Sequence, residues 1–190
     1  MRWNLYHGTT EDVAIGLLAG ANFLHSAGEK HYLGIGVYLY SDAYQAAHWA
    51  KMKARYLSSR KDEEHLPAVI EVSVEVNDEE FMDLDLRQDQ RVFFRHRNHY
   101  RQAIISNKLS VRYYNDSKFC DFIAETLNVM MFAKTFVYPD PMNKDLDALT
   151  SNDKRTDTNV TRHYWTERQF CLRNQDWIQG RKLWEVNHDE

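Results

Sequence analysis

The chain predicts a mixed α+β domain with helices early and strands late, and three observations lead there. Its 190 residues, 43% hydrophobic and 27% charged, suit one globular unit. Several segments alternate apolar and polar residues with period two. Others space apolar residues three and four apart, as an amphipathic helix does.

Trp3-Asn4-Leu5-Tyr6-His7 reads as a short strand that Gly8 breaks. Thr9 then caps a helix with Glu11 and Asp12 in its first turn, where the helix dipole favours acids, and Gly20 stands where a C-terminal cap belongs. Gly34-Ile35-Gly36-Val37-Tyr38-Leu39-Tyr40 is a second strand entered through two glycines. After it, Ser41-Asp42 caps an Ala-rich helix running to about Leu57. A polar connector over residues 58–64 leads to Pro67–Val76, where Ile70, Val72, Val74 and Val76 take one face and Glu71, Ser73 and Glu75 the other. That is a strand with one side buried. Phe81–Leu86 repeats the pattern, whereas residues 87–117 show no clear assignment. Lys118–Lys134 spaces Phe119, Phe122, Ile123, Leu127, Met130 and Met131 helically. Residues 139–161, with two prolines and the run TSNDKRTDTNVT, read as a long exposed loop. Tyr164–Leu172 resumes a strand pattern, and Trp177-Ile178 and Leu183–Val186 supply edge strands. A sheet so assembled leaves a cleft between its halves.

Composition narrows the function classes. Aromatic residues reach 13%, with 7 Gly and 3 Pro, which argues against long linkers and low-complexity segments. A net charge of −4 makes no global case for nucleic acid and leaves any such case to a local patch. Cys120 and Cys171 are too few for a disulfide framework and lack the paired spacing of a zinc site. His96 and His99 lie three apart without matching ligands, and Gly34-Ile35-Gly36 is no dinucleotide fingerprint, so no metal is expected. No window approaches the roughly 18 apolar residues of a membrane span, and the first residues lack a secretory apolar run. The expected location is a reducing, cytoplasmic one, with no membrane partner.

Three segments carry chemistry: LYHGTT at 5–10, GIGVYLYSDAYQAAHWA at 34–50, and ERQFCL at 167–172. Together and in this order they resemble the ADP-ribosyltransferase fold, in the His-Tyr-Glu branch that includes diphtheria-toxin-like and poly(ADP-ribose)-polymerase-like enzymes. The resemblance implies a split sheet around a central NAD-binding cleft within one domain over residues 1–190; a middle region of about 77–165 has no counterpart. It implies that His7 holds the nicotinamide ribose, that the Gly8 backbone meets the carboxamide with Thr9 nearby, and that Tyr38 and Trp49 flank the nicotinamide ring. A strand ending in His-Gly suits this, since glycine lets backbone approach a flat amide closely. The plainer alternatives are a His that satisfies a backbone group at a turn, and aromatic rings that belong to the core.

At the third position the sequence departs from the family. The family begins its last strand with Glu, whose carboxylate stabilises the oxocarbenium-like sugar; here Gln169 takes that place and Glu167 lies two residues earlier. Residues i and i+2 of a strand share a face, so both side chains can point into one cleft. A neutral amide cannot balance developing positive charge. The expectation is therefore a mono-ADP-ribosyltransferase using NAD as substrate, with His7, Tyr38, Glu167 and Gln169 catalytic, or else an inactive NAD- or ADP-ribose-binding or nucleic-acid-binding module. By resemblance and size it looks like a microbial toxin or phage-defence effector, with an antitoxin as a partner.

Two basic-aromatic clusters point to a macromolecular acceptor, whether protein, RNA or DNA. RQDQRVFFRHRNHYR at 87–101 holds five Arg against one Asp, including Arg95 and Arg97, interleaved with rings. Such interleaving suits single strands, although a solvated basic helix has the same composition. The segment before the last strand carries Arg155, Arg162, His163, Tyr164 and Trp165.

Overall fold

A computed structural model describes residues 1–26, 31–61, 63–107, 115–139 and 164–185. The predicted long loop over 139–161 lies outside them save for Pro139, as do Arg155, Arg162 and His163. β1 (Arg2–Thr10), β2 (Val37–Tyr40), β3 (Pro67–Glu75), β4 (Phe81–Asp83), β5 (Met131–Pro139), β6 (Tyr164–Leu172) and β7 (Ile178–Leu183) form one seven-stranded sheet in the order β4-β5-β6-β2-β1-β3-β7. Among the described residues, four helices accompany it: α1 (Glu11–Leu18), α2 (Ala43–Lys61), α3 (Arg87–Ser106) and α4 (Asp116–Leu127). The α+β expectation is met at this level. All pairings are antiparallel except β4 with β5.

The alternation in β3 came out as read: Ile70, Val72 and Val74 are fully buried, while Glu71 and Ser73 stay partly exposed. β3 pairs with β1 over the whole strand, from Arg2 opposite Glu75 to Thr10 opposite Pro67. Gly8 does not end β1. The strand runs through it to Thr10, and Thr10 rather than Thr9 is the residue before α1. α1 ends with Gly20 at φ +100°; Gly20 N–H donates to Leu17 O and Ala21 N–H to Gly16 O, the paired closure that glycine permits.

α2 runs past the predicted end at Leu57 to Lys61, so the connector is shorter than expected. It starts where Asp42 Oδ1 accepts from Gln45 N–H at 3.0 Å. Ala43, Ala46, Ala50 and Ala54 are its buried stripe, and such small side chains bring the helix close to β1 and β3. Residues 87–106 form the amphipathic helix α3, with Phe93 and Ile104 buried. The helix predicted for 118–134 stops at Leu127, because Asn128 takes a left-handed φ of 56° and the chain then extends into β5. Met131 and Ala133 alternate there with Phe132 instead of continuing the helical period. β7 is a single edge strand where two short ones were expected, and Trp177 precedes it in a 3-10 turn.

Each face of the sheet has its own core. Leu5, Val37, Leu39, Val72, Phe170 and Leu172 pack with Ala14 and Leu17 of α1 on one side. On the other, α2 covers Tyr40 and Val69, while α3 and α4 cover Phe132 and Cys171. Burying each phenylalanine fully stabilises the fold by about 1.5–3 kcal/mol relative to exposure. The floor between the two helical groups is β2 and β6. Among the described residues, no helix is long and apolar enough to cross a membrane.

Candidate active site at the seam of the sheet

β1 and β2 share a single registered pair, Tyr6 opposite Tyr40, in contrast to the full-length pairing of β1 with β3. The next residue of β1 is His7, and its imidazole bridges this seam: Nδ1 lies 2.9 Å from the carbonyl oxygen of Tyr38. A carbonyl only accepts, so Nδ1 carries the proton and Nε2 presents a lone pair. Burial is the main cause that lowers the His7 pKa from 6.5 to about 4, against the favourable bond to Tyr38 O and with help from the nearby Lys53 cation. The ring is therefore neutral at pH 7. Phe23 packs edge-on to it at 5.1 Å and is itself held by Gln175, whose side chain bonds both backbone groups of Phe23.

That shift gives a sign for acid behaviour. The unfolded chain protonates His7 first, near pH 6.5, so stability is full above 6.5 and falls until pH reaches about 4. The loss is expected to be on the order of 2 kcal/mol after allowing for the ring's partial exposure. Urea unfolding across that window should show the loss in the wild type and its absence in His7→Gln.

Tyr38 lies one strand over. Its side chain shares the face of Tyr40, whereas His7 follows Leu5 on the opposite face, so backbone rather than ring contact joins the two. The Tyr38 hydroxyl donates to Gly34 O at 2.9 Å and accepts from Leu33 N–H at 3.0 Å. Burial pushes this phenol well above its ordinary range, so it stays protonated. Its ring packs at 5.3 Å from His31. Trp49 sits on α2 and is half-exposed. Gly8 is buried beneath α2, and Thr9, fully buried, accepts from Lys53 Nζ at 3.3 Å.

β6 flanks β2 on the side away from β1, with Gln169 opposite Tyr40 and Cys171 opposite Tyr38. Glu167 and Gln169 share that face as expected, both partly exposed, and the Gln169 amide donates to the Glu167 carboxylate. The start of α2 is tied down around them: Ser41 N–H donates to Arg168 O, and Gln45 Nε2 to Thr166 O at 2.5 Å. Both thiols lie in the core that α3 and α4 cover; burial raises Cys171 to about 12 and pushes Cys120 up as well, so neither is a nucleophile at neutral pH.

The sequence reading missed the group that fixes β6. Arg168, between the two candidate residues, points to the other face and forks to Asp83 at 2.6 Å and Asp85 at 2.8 Å. Burial alone would raise the Asp85 pKa, but bonds from Lys134 and Thr135 outweigh it and hold it low. The alternating acids in Met82-Asp83-Leu84-Asp85 were the available signal. With the three side chains 26%, 11% and 24% exposed, Arg168→Met should lower unfolding stability by about 2 kcal/mol in urea titration, short of the cost at a fully buried pair. Lys53, beside both His7 and Thr9, was missed too.

Of the acceptor candidates, Arg95 is exposed on α3 and Arg97 lies 3.2 Å from Asp116 of α4. Tyr164 and Trp165 begin β6, opposite Pro139 and Tyr138 of β5. Among the described residues no group of three His, Cys, Asp or Glu could hold a metal.

No protein-family model matches the chain, and no solved structure does. A stretch of 55 residues is 34% identical to the uncharacterized protein MJ0359 of Methanocaldococcus jannaschii, covering 29% of this chain and 26% of that one.

Proposed function

We propose that this chain is an NAD-dependent mono-ADP-ribosyltransferase. The observation that carries the reading is His7 at the seam, neutral, with Nδ1 committed to Tyr38 O and Nε2 presenting a lone pair. Such an acceptor suits a ribose hydroxyl, and an imidazole fixed by a backbone bond holds the sugar without a rotamer search. Two strands away, the Glu167 carboxylate stands with Gln169 on the Tyr38 and Tyr40 face of the sheet, opposite to that of His7, so a dinucleotide that meets both must cross the β1–β2 seam, where the strands share a single registered pair. In the reaction, the bond from nicotinamide to C1′ breaks and nicotinamide leaves with the bonding pair. Glu167 stabilises the cationic sugar, and an acceptor nucleophile forms the new bond at C1′ and loses its proton. Gln169 orients Glu167 through their hydrogen bond. In the family that the motifs resemble, chain building goes with a Glu at the place Gln169 takes, which supports one transfer per acceptor.

Incubation with labelled NAD and a cell extract tests this. Nicotinamide release coupled to label on protein or nucleic acid is expected. NAD binding with neither product would instead favour a non-catalytic NAD or ADP-ribose reader, a reading supported by the Gln169 amide occupying the Glu167 carboxylate.

A further inference from the structure

On the face that carries Tyr38, α3 and α4 leave a cavity of about 240 Å³ against β5. Phe93 lies buried at its floor and Phe136 of β5 stands in one wall, in ring contact with Tyr32. Tyr32 and Phe94 are 57% and 49% exposed, which sets them at the mouth. Arg97 and Lys134 add cationic heads to the lining, each near a carboxylate. The volume falls below the roughly 300–1,000 Å³ of sites for drug-sized ligands, so it takes one flat ring system and not a whole dinucleotide.

The second observation is independent of the cavity. Arg87, Arg91 and Arg95 recur every four residues along the exposed side of α3. The ion pairs among the described residues leave all three out. Phe94 sits three residues after Arg91 and one before Arg95, so the cation row borders the mouth. Cations at regular spacing neutralise phosphates, and aromatic walls stack an unpaired base. An acidic peptide would match the arginines but would leave the ring-lined cavity without a counterpart.

The geometry points to a binding site for single-stranded nucleic acid, which turns one unstacked base into the cavity against Phe94, Tyr32 and Phe136 and runs its phosphates along Arg87, Arg91 and Arg95. The site stands without the transferase reading; joined to it, it names the class of acceptor.

Fluorescence anisotropy of labelled oligo(dT) and oligo(U), about 12 nucleotides long, with the full chain and no NAD, tests the site. Binding is expected, weakening between about 50 and 200 mM salt. Phe94→Ala and Tyr32→Ala each weaken it about tenfold at unchanged salt slope, since stacking carries no counterions. Arg91→Gln and Arg95→Gln each flatten the log–log salt slope by about 0.7. Both rings are half-exposed, so a thermal melt should show the truncated variants folded. The site is overturned by no binding of either oligonucleotide at about 50 mM salt, by both ring variants binding like wild type, or by duplex DNA or heparin binding as tightly as the single strand. Nicotinamide release is read separately, so failure of one proposal is distinguishable from failure of the other.

Discussion

Glu167→Gln is expected to slow nicotinamide release from NAD by about 10²–10³ while leaving NAD affinity within a few-fold of wild type. As the glycosidic bond breaks, positive charge develops on the sugar, and Glu167 is the acid on the cleft side of β6. An amide in its place has the same shape and still pairs with Gln169, so positioning is kept and only the charge is lost. An effect confined to the transition state appears in kcat and leaves the binding constant alone. Stopped assays of released nicotinamide, with NAD binding by calorimetry, separate the two. A variant that turns over like wild type would remove Glu167 from the mechanism.

Gly8→Ala should lower stability by about 3 kcal/mol, the upper end of the usual overpacking cost. A Cβ built there would lie 2.1 Å from the Ala46 carbonyl oxygen and 3.0 Å from both Ala46 C and Ala50 N. These are backbone atoms of α2, so no side-chain rotation relieves the clash. The helix cannot retreat without breaking its ties to Thr166 and Arg168 of β6. Melting temperature should fall by roughly 6–12 °C for a chain of this size. Gly16→Ala is the control: nothing lies within 4 Å of its Cβ, in the middle of α1, so it should be neutral or stabilise by about 0.5–1 kcal/mol.

These two glycines show where sequence reading succeeds and where it stops. Gly8 signals a special position, and the natural reading is a break in the chain. The requirement comes instead from a helix 38 residues away, a long-range approach that no local pattern records. Alternation in β3 and β6 and the alanine stripe of α2 were legible because each is a local periodicity with one buried side. The end of α4 was not, since Met130 and Met131 continue the helical spacing and only Asn128, in its left-handed turn, marks the stop. Strand order also lay beyond reach, because β2 must find β6 across more than 120 residues.

Much of the candidate site is a product of that order. His7 and the Glu167–Gln169 pair were read from their motifs as facing one bond; their strands are separated only by β2, but His7 takes the Leu5 face of the sheet and the pair takes the Tyr40 face. The Arg168 fork to Asp83 and Asp85 depends on β4 and β5 lying beside β6, so it could be seen only in three dimensions. The same holds for the cavity under α3, whose walls come from α3, α4 and β5 together with the segments before β2 and after β4.

The account rests on a sugar hydroxyl meeting His7. A crystal structure of the protein with NAD bound is the direct test. The account predicts the nicotinamide-side ribose within hydrogen-bonding distance of His7 Nε2, with Nδ1 still bonded to Tyr38 O and the Glu167 carboxylate on the side of C1′. A dinucleotide seated away from the β1–β2 seam, with His7 Nε2 touching only protein, would contradict it.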